Sequence, residues 1–332
     1  MLKMLTFVDF IVTPNLSYQV FISDRLLPVP VGAPYQKLHT LIRVCAVLSE
    51  VLSKIRLAFD PSSSAQVARI QGEIISVLSA KQGKVGEAIW SAVVDISTQI
   101  LKTLLDGQGS SDTQTPQGPS DIDEATKSVM IYVMFLENYH SVMEPIVSDA
   151  ASLGKYVPRS GDLPPLTSLE MEMVSCLGEK LANKSEALPN QGLRFLFLLN
   201  NSSFIADQLH QNASYFPKSY KVDLAGKVEG YMERYMQVSW APVLSCLINP
   251  TPSCFGKNYT PLPKFESEFQ KMYTTQKLWK VPDPRLRNWL RRAIIDKVIP
   301  CYTRYLADGY GNTPLKFSPS NLQEMLQELF EG

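Results

Sequence analysis

Residue types that carry out chemistry are sparse in this 332-residue chain. Its three histidines, His39, His140 and His210, stand far apart in the sequence. His39 and Cys45 are six residues apart in a helical pattern, which puts them on different faces of one helix. No His-Glu-x-x-His motif, no Gly-x-Ser-x-Gly motif, no phosphate loop and no metal-ligand spacing occurs. We therefore expect no catalysis, no cofactor and no metal site.

The cysteines indicate the compartment. There are five, an odd number, and none belongs to a Cys-x-x-Cys pair: Cys45, Cys176, Cys246, Cys254 and Cys301. This usage is typical of reduced thiols in a cytosolic protein. The opening stretch MLKMLTFVDFIV is short, is interrupted by Asp9 and lacks a cleavage site, so we interpret it as a core helix. No apolar run reaches the ~18 residues that span a bilayer.

Positive charge is concentrated near the C-terminus, although the formal net charge of the chain is zero. Residues 255–305 contain eleven Lys and Arg against four Asp and Glu, whereas residues 106–172 contain three against eleven. Such a patch suits an anionic partner. Trp279 and Trp289 could stack on bases, but both lie in sequence that we expect to be packed, so a nucleic acid is not predicted. A solvated helix face with an ordinary Arg292–Asp296 pair remains open.

Helical periodicity dominates the chain, and no convincing strand pattern occurs. Helices are expected at about 34–59, 64–105, 121–151, 166–184, 189–212, 217–248, 261–277, 283–307 and 319–330, with a break at Gly83 and Gly86. Residues 107–120, GQGSSDTQTPQGPS, have the composition of a disordered linker. We predict an all-α protein, an elongated rod of stacked antiparallel helical bundles: an N-terminal bundle over 1–155, a middle bundle over 156–255 and a C-terminal bundle with a basic face over 256–332.

The predicted helix at 283–307 has one buried face and one basic face. Asp283 is its expected N-cap and Pro284 suits the first helical position. Pro300 removes one internal hydrogen bond and should bend the helix. Isoleucine, valine and tyrosine recur on one side, while Arg285 and Arg292 lie on the other.

Two adjacent amides, Asn200 and Asn201, interrupt an apolar helical run. We interpret them as structural residues that bond to neighbouring helices and fix their register. A hydrophobic groove between helices that takes a partner peptide remains an alternative use of the surrounding aromatic residues.

Several blocks in order resemble a known family. They are PYQKLHTLIRVCAVLSEVLSKI (34–55), ATKSVMIYVMFLENYHSVMEPI (125–146), LRFLFLLNN (193–201), SWAPVLSCL (239–247), TTQKLWKVPDPRLRNWLRRAIIDKVIPCYTRYL (274–306) and a final LQEMLQELFEG. Together they resemble the seventy-kilodalton subunit of the exocyst vesicle-tethering complex, in its plant branch. The resemblance covers roughly residues 34–332.

The resemblance implies a helical rod without catalysis, which helps to tether secretory vesicles to the plasma membrane in exocytosis. It implies a peripheral location at the inner face of that membrane, with other exocyst subunits and phosphoinositides as partners. The lipid-binding patch that it suggests comprises Lys271, Lys277, Lys280, Arg285, Arg287, Arg291 and Arg292.

Three departures from the family pattern favour a second hypothesis. The N-terminal coiled coil and first bundle of the family are missing, residues 13–33 interrupt the opening helix, and the connection at 307–323 is short and carries only Lys316. The chain thus resembles a truncated, diverged plant paralogue. Such paralogues are linked with immune-related secretion, so the alternative function is a protein-binding adaptor or decoy outside the exocyst.

Overall fold

A computed structural model describes residues 33–58, 65–106, 120–248, 261–310 and 315–332. The all-α prediction is confirmed, because these residues form α-helices and one π-helical turn and contain no strand. Their one isolated β-bridge joins Lys280 to Glu331. The predicted N-terminal core helix, the interrupted opening at 13–32 and the predicted linker at 107–119 lie outside the described residues.

The helices follow the apolar periodicity of the sequence closely. Their bounds are α1 Ala33–Ala58, α2 Ala65–Asp106, α3 Glu124–Asn138, α4 His140–Ser152, α5 Pro165–Glu186, α6 Gln191–Asn212, α7 Lys218–Ser239, α8 Ala241–Ile248, α9 Pro261–Gln276, α10 Pro284–Tyr305 and α11 Pro319–Gln327. The π-helical turn Leu306–Tyr310 follows α10 directly.

Three breaks differ from the sequence prediction. Helix α2 runs without interruption through Gly83 and Gly86. The continuous backbone hydrogen bonds of this 42-residue helix outweigh the low helix propensity of two isolated glycines. The helix predicted at 121–151 is divided at Tyr139, and the one at 217–248 is divided at Trp240. Pro242 follows Trp240 by two residues and cannot donate to the Val238 carbonyl, which accounts for the second division. Pro145 lies inside α4, six residues after Tyr139, and does not account for the first.

Contacts between Cα atoms group the chain into two compact units, and neither unit is continuous in sequence. Of the described residues, unit 1 comprises 33–58, 65–103 and 131–174, and unit 2 comprises 104–106, 120–130, 175–248, 261–310 and 315–332. The boundaries between the units fall inside α2, α3 and α5. This division differs from the three consecutive bundles expected above, which stay a prediction.

Unit 1 has an apolar core that contains a buried tyrosine whose hydroxyl has hydrogen-bond partners. Tyr132 is fully buried, and its hydroxyl lies 3.2 Å from the Val93 carbonyl and 3.3 Å from the Ser97 hydroxyl. The surrounding core residues include Leu38, Ile42, Ile89, Leu136, Met143, Val147 and Leu166. Burial raises the pKa of Tyr132 well above its ordinary value, so the hydroxyl stays protonated.

Unit 2 contains the larger aromatic core, which positions α10. Trp240 donates through its Nε1 to the Tyr235 hydroxyl at 3.1 Å, and that hydroxyl donates to Gln276 at 2.6 Å. All three side chains are buried, so their polar atoms satisfy one another. Phe265 stacks on Tyr302 of α10 with 5.1 Å between ring centroids.

Helix α6 approaches the end of α7 closely at Gly192. A Cβ atom there would overlap the Ser239 hydroxyl and would lie 3.3 Å from Trp279. Only glycine fits this contact without a shift of neighbouring atoms.

Candidate functional site

The basic helix α10 begins as its sequence predicts. The Asp283 carboxylate accepts from the backbone N–H of Arg285 at 2.6 Å and of Leu286 at 3.0 Å, and Pro284 occupies the first turn. Partial burial alone would raise the pKa of Asp283, but these backbone donors and the Arg285 guanidinium outweigh it and lower that pKa. The cap therefore stays ionised and fixes where the helix starts.

The buried face of α10 determines which cations reach solvent. Its apolar residues at spacings of three and four pack into the unit 2 core: Leu286, Leu290, Ile294, Val298, Tyr302 and Tyr305. The opposite stripe carries Arg285, Arg292, Asp296 and Thr303, and all four are exposed. Helix α10 continues through Pro300 to Tyr305.

Six of the seven residues in the predicted lipid patch contact a carboxylate. The N–O distances are 2.8 Å for Lys271–Glu268, 2.7 Å for Lys277–Glu328, 3.0 Å for Lys280–Asp121, 2.6 Å for Arg285–Asp207, 2.5 Å for Arg287–Glu331 and 2.7 Å for Arg291–Glu331. The patch is therefore less cationic than the sequence alone suggests, because each of these positive charges has a negative neighbour.

Arg292 differs from the other six. Within the described part of the chain it has no ion pair, and the i,i+4 pair with Asp296 that the sequence allowed does not form. Lys297 and Arg304 are likewise exposed on α10 and have no described carboxylate partner. Trp289, expected to be packed, is 42% exposed one turn before Arg292, whereas Trp279 is buried.

Residues Glu328–Gly332, here called the acidic segment, bring three of the predicted cations together. Glu328 contacts Lys277, and Glu331 contacts both Arg287 and Arg291. The sequence prediction missed these two glutamates, although the terminal LQELFEG placed acidic side chains next to a basic region. Hydrogen bonds from Lys277 and from Arg291 lower the pKa values of Glu328 and Glu331 respectively.

Asn200 and Asn201 bond to two segments outside their own helix. The Asn201 oxygen accepts from the Asp123 backbone N–H at 2.9 Å and from the Thr126 hydroxyl at 2.7 Å. The Asn200 amide donates to the carbonyls of Ser120 at 2.5 Å and Lys280 at 3.0 Å. The two amides thus tie the start of α3 and the loop before α10 to helix α6, inside unit 2.

The described residues offer no sign of two other kinds of site. No three His, Cys, Asp or Glu side chains there are arranged to hold a metal ion. Within the same ranges, no helix combines the length and apolar character needed to cross a membrane.

The fold and the block order agree with one known family. The family model for the C-terminal region of Exo70, which belongs to the exocyst complex, matches residues 32–328 and so most of the chain. This chain belongs to the Exo70 family. The family assignment confirms the resemblance drawn from the sequence blocks.

Known Exo70 proteins are similar at low identity. The chain is 22% identical to the exocyst complex component EXO70C1 of Arabidopsis thaliana over 297 residues, covering 80% of this chain and 44% of that protein. It is 24% identical to EXO70A3 of the same plant over 239 residues, covering 66% and 40%. The chain thus spans less than half the length of these relatives. A solved S. cerevisiae Exo70 structure matches with a TM-score of 0.54 at 14% identity, covering 89% of this chain and 59% of the yeast chain, and so shares the fold.

Proposed function

We propose that this chain is an exocyst-type subunit that helps tether secretory vesicles to the plasma membrane. In this role it binds an anionic, phosphoinositide-containing membrane on one side and partner proteins on another. The observation that carries the proposal is the Exo70 family match over residues 32–328. The role is one of binding, performed at the cytoplasmic face of the plasma membrane.

The membrane part of the proposal rests on the outer surface of α10. Arg285, Trp289 and Arg292 follow one another at spacings of four and three residues, so these two exposed cations and the half-exposed ring share one face of the helix. Lys297 and Arg304 are also exposed, but they lie about 120° to 140° further round the helix than Arg292. Tryptophan favours the headgroup level of a bilayer, where its apolar ring and its N–H are both satisfied. One face of α10 therefore presents Arg285, Arg292 and an aromatic anchor, while Lys297 and Arg304 add positive charge on a neighbouring face.

The expected strength of this contact is low. Each Lys or Arg near an anionic leaflet contributes about 1 kcal/mol, so four cations give about 4 kcal/mol and a millimolar-scale dissociation constant. Such a contact alone is transient. It becomes useful when several subunits or several copies bind the same membrane, because multivalency raises the overall affinity.

A charge-deletion experiment tests the membrane contact. The variant R292Q/K297Q should bind vesicles containing phosphoinositide at least tenfold more weakly in co-sedimentation, because two cations without carboxylate partners are removed. The matched control K218Q/K227Q removes two exposed lysines of α7 and should change binding less than twofold. Equal losses in both variants would mean that net charge, rather than the α10 surface, governs binding.

Affinity purification from plant cells tests the tethering role. Recovery of the other exocyst subunits in stoichiometric amounts supports it. Recovery of unrelated proteins without those subunits would instead favour the adaptor or decoy role outside the complex, including one in plant defence. Partner binding in a groove between helices would be mapped in the same preparation by cross-linking.

A further inference from the structure

The acidic segment occupies the positions on the predicted patch that an external anion would take. Glu328 accepts from Lys277 at 2.7 Å and from the Tyr273 hydroxyl at 2.6 Å. Glu331 accepts from Arg287 at 2.5 Å through one oxygen and from Arg291 at 2.7 Å through the other. Two arginines thus bind one carboxylate, an arrangement that also suits a phosphate group.

The backbone of the acidic segment is anchored independently of these carboxylates. Leu329 and Phe330 are fully buried in the unit 2 core. The Phe330 carbonyl accepts from the Val281 N–H at 3.2 Å, and the Leu329 carbonyl accepts from Arg291 at 2.9 Å. Phe330 also adopts a φ of 68°, which a non-glycine residue keeps only where its surroundings determine it.

The glutamate side chains, in contrast, extend into solvent. Glu328 is 54% exposed and Glu331 is 59% exposed, whereas Arg287 and Arg291 are only 20% and 14% exposed. An ion pair with so exposed a partner contributes little net stability, because water screens it and the long side chain loses rotamer freedom. Each glutamate can therefore rotate away while Leu329 and Phe330 keep the backbone in place.

We propose that the acidic segment is a built-in competitor for the membrane surface. Glu328 and Glu331 cover Lys277, Arg287 and Arg291, and an anionic phospholipid headgroup has to displace them to reach these cations. This inference rests on the proposed membrane function and adds a form of regulation to it. A headgroup phosphomonoester carries more negative charge than a carboxylate and offers three acceptor oxygens, so it competes effectively at a leaflet where such groups are dense.

The test removes the competing charge without changing side-chain size. The proteins are wild type, E328Q and E331Q, and the probe is phosphatidylcholine vesicles with or without phosphatidylinositol bisphosphate. The variants should bind the anionic vesicles about fivefold or more tightly than wild type, since each glutamine uncovers at least one cation. The matched control is E324Q, which removes the same charge from an exposed glutamate of α11 that has no ion pair in the described residues.

A reversal experiment identifies the cations that are uncovered. Adding R287Q and R291Q to E331Q should abolish its gain, and circular dichroism and the melting temperature verify that each variant stays folded. The proposal that the acidic segment competes would be wrong if E324Q and E331Q gained equally in vesicle binding. It would also be wrong if folded E328Q and E331Q gained none. If wild type binds anionic vesicles and the variants bind no better, the competitor alone fails. If neither wild type nor any variant binds, the proposed membrane contact fails with it.

Discussion

Two glutamates of α5 stand two residues apart and meet opposite surroundings. Glu170 is fully buried, and neither of its carboxylate oxygens has a hydrogen-bond partner in the described residues. Glu172 accepts from the Tyr156 hydroxyl at 2.7 Å and from the Ser168 hydroxyl at 3.1 Å. Burial, reinforced by the charges of Glu137 and Glu144, raises the pKa of Glu170 well above its ordinary value.

This difference predicts opposite effects of the same substitution. The pKa of Glu170 is higher in the folded chain than in the unfolded one. The stability that comes from its protonated form is therefore fully present below pH 4.5, and it is lost as the pH rises through the folded-state pKa. Replacing Glu170 with glutamine should remove this loss and raise the free energy of unfolding at pH 8 by about 1–3 kcal/mol.

Urea denaturation of wild type and E170Q at pH 5 and pH 8 measures the effect. The matched variant E172Q should instead lose about 1–2 kcal/mol, because several donors lose a charged acceptor. A pH dependence that stays unchanged in E170Q would show that Glu170 is not the group responsible.

At the scale of elements, unit 2 depends on polar contacts between segments distant in sequence. Asn201 of α6 accepts from the Asp123 N–H and the Thr126 hydroxyl at the start of α3. Lys184 of α5 pairs with the Asp123 carboxylate at the same position. Because α3 begins at this junction, the Asn201 amide and the Lys184–Asp123 ion pair both help to hold its start against neighbouring helices.

Replacing Asn201 with alanine should therefore destabilise unit 2. Two buried donors would lose their acceptor, which costs about 2–6 kcal/mol at 1–3 kcal/mol for each group. Chemical denaturation measures the loss, and hydrogen exchange of the Asp123 amide, which donates to Asn201, should speed up in parallel. The control N212A removes an exposed amide of the same helix and should stay within about 0.5 kcal/mol of wild type.

At the scale of the molecule, the formal net charge of zero hides a local excess of positive charge. Residues 255–305 carry eleven basic and four acidic side chains. Ion pairs to Asp121, Asp207, Glu328 and Glu331 offset part of that excess, while Arg292, Lys297 and Arg304 keep theirs. The attraction to an anionic leaflet that we propose is therefore electrostatic and sensitive to salt.

Salt should weaken vesicle binding by wild type strongly. Raising the ionic strength from 0.1 M to 1 M shortens the Debye length from about 10 Å to about 3 Å, so exposed cations lose most of their attraction for the leaflet. We expect at least a tenfold loss of binding to anionic vesicles in co-sedimentation and no change with neutral vesicles. Binding that persists at 1 M would indicate an apolar contact through Trp289 as the main contribution.

The sequence alone determined most of the helices, and several sequence blocks in order indicated the family. Apolar spacing of three and four residues is a local signal, and the start of α10 at Asp283 and Pro284 depends on side chains within one turn. Divisions of two predicted helices at Tyr139 and Trp240 were missed, since the residues there keep an apolar pattern and only Pro242 indicates a break, at the second division.

Only the tertiary structure decided which charges are free. Arg287, Arg291 and Arg292 look equivalent in the sequence, yet the first two contact Glu331 about forty residues further along the chain, and Arg292 faces solvent. Likewise, Glu170 is buried near Glu137 and Glu144 of two other helices, whereas Glu172 accepts from Tyr156 in the preceding loop. Local patterns encode the helix that a residue joins, but pairing and burial depend on residues that folding brings together from distant parts of the chain.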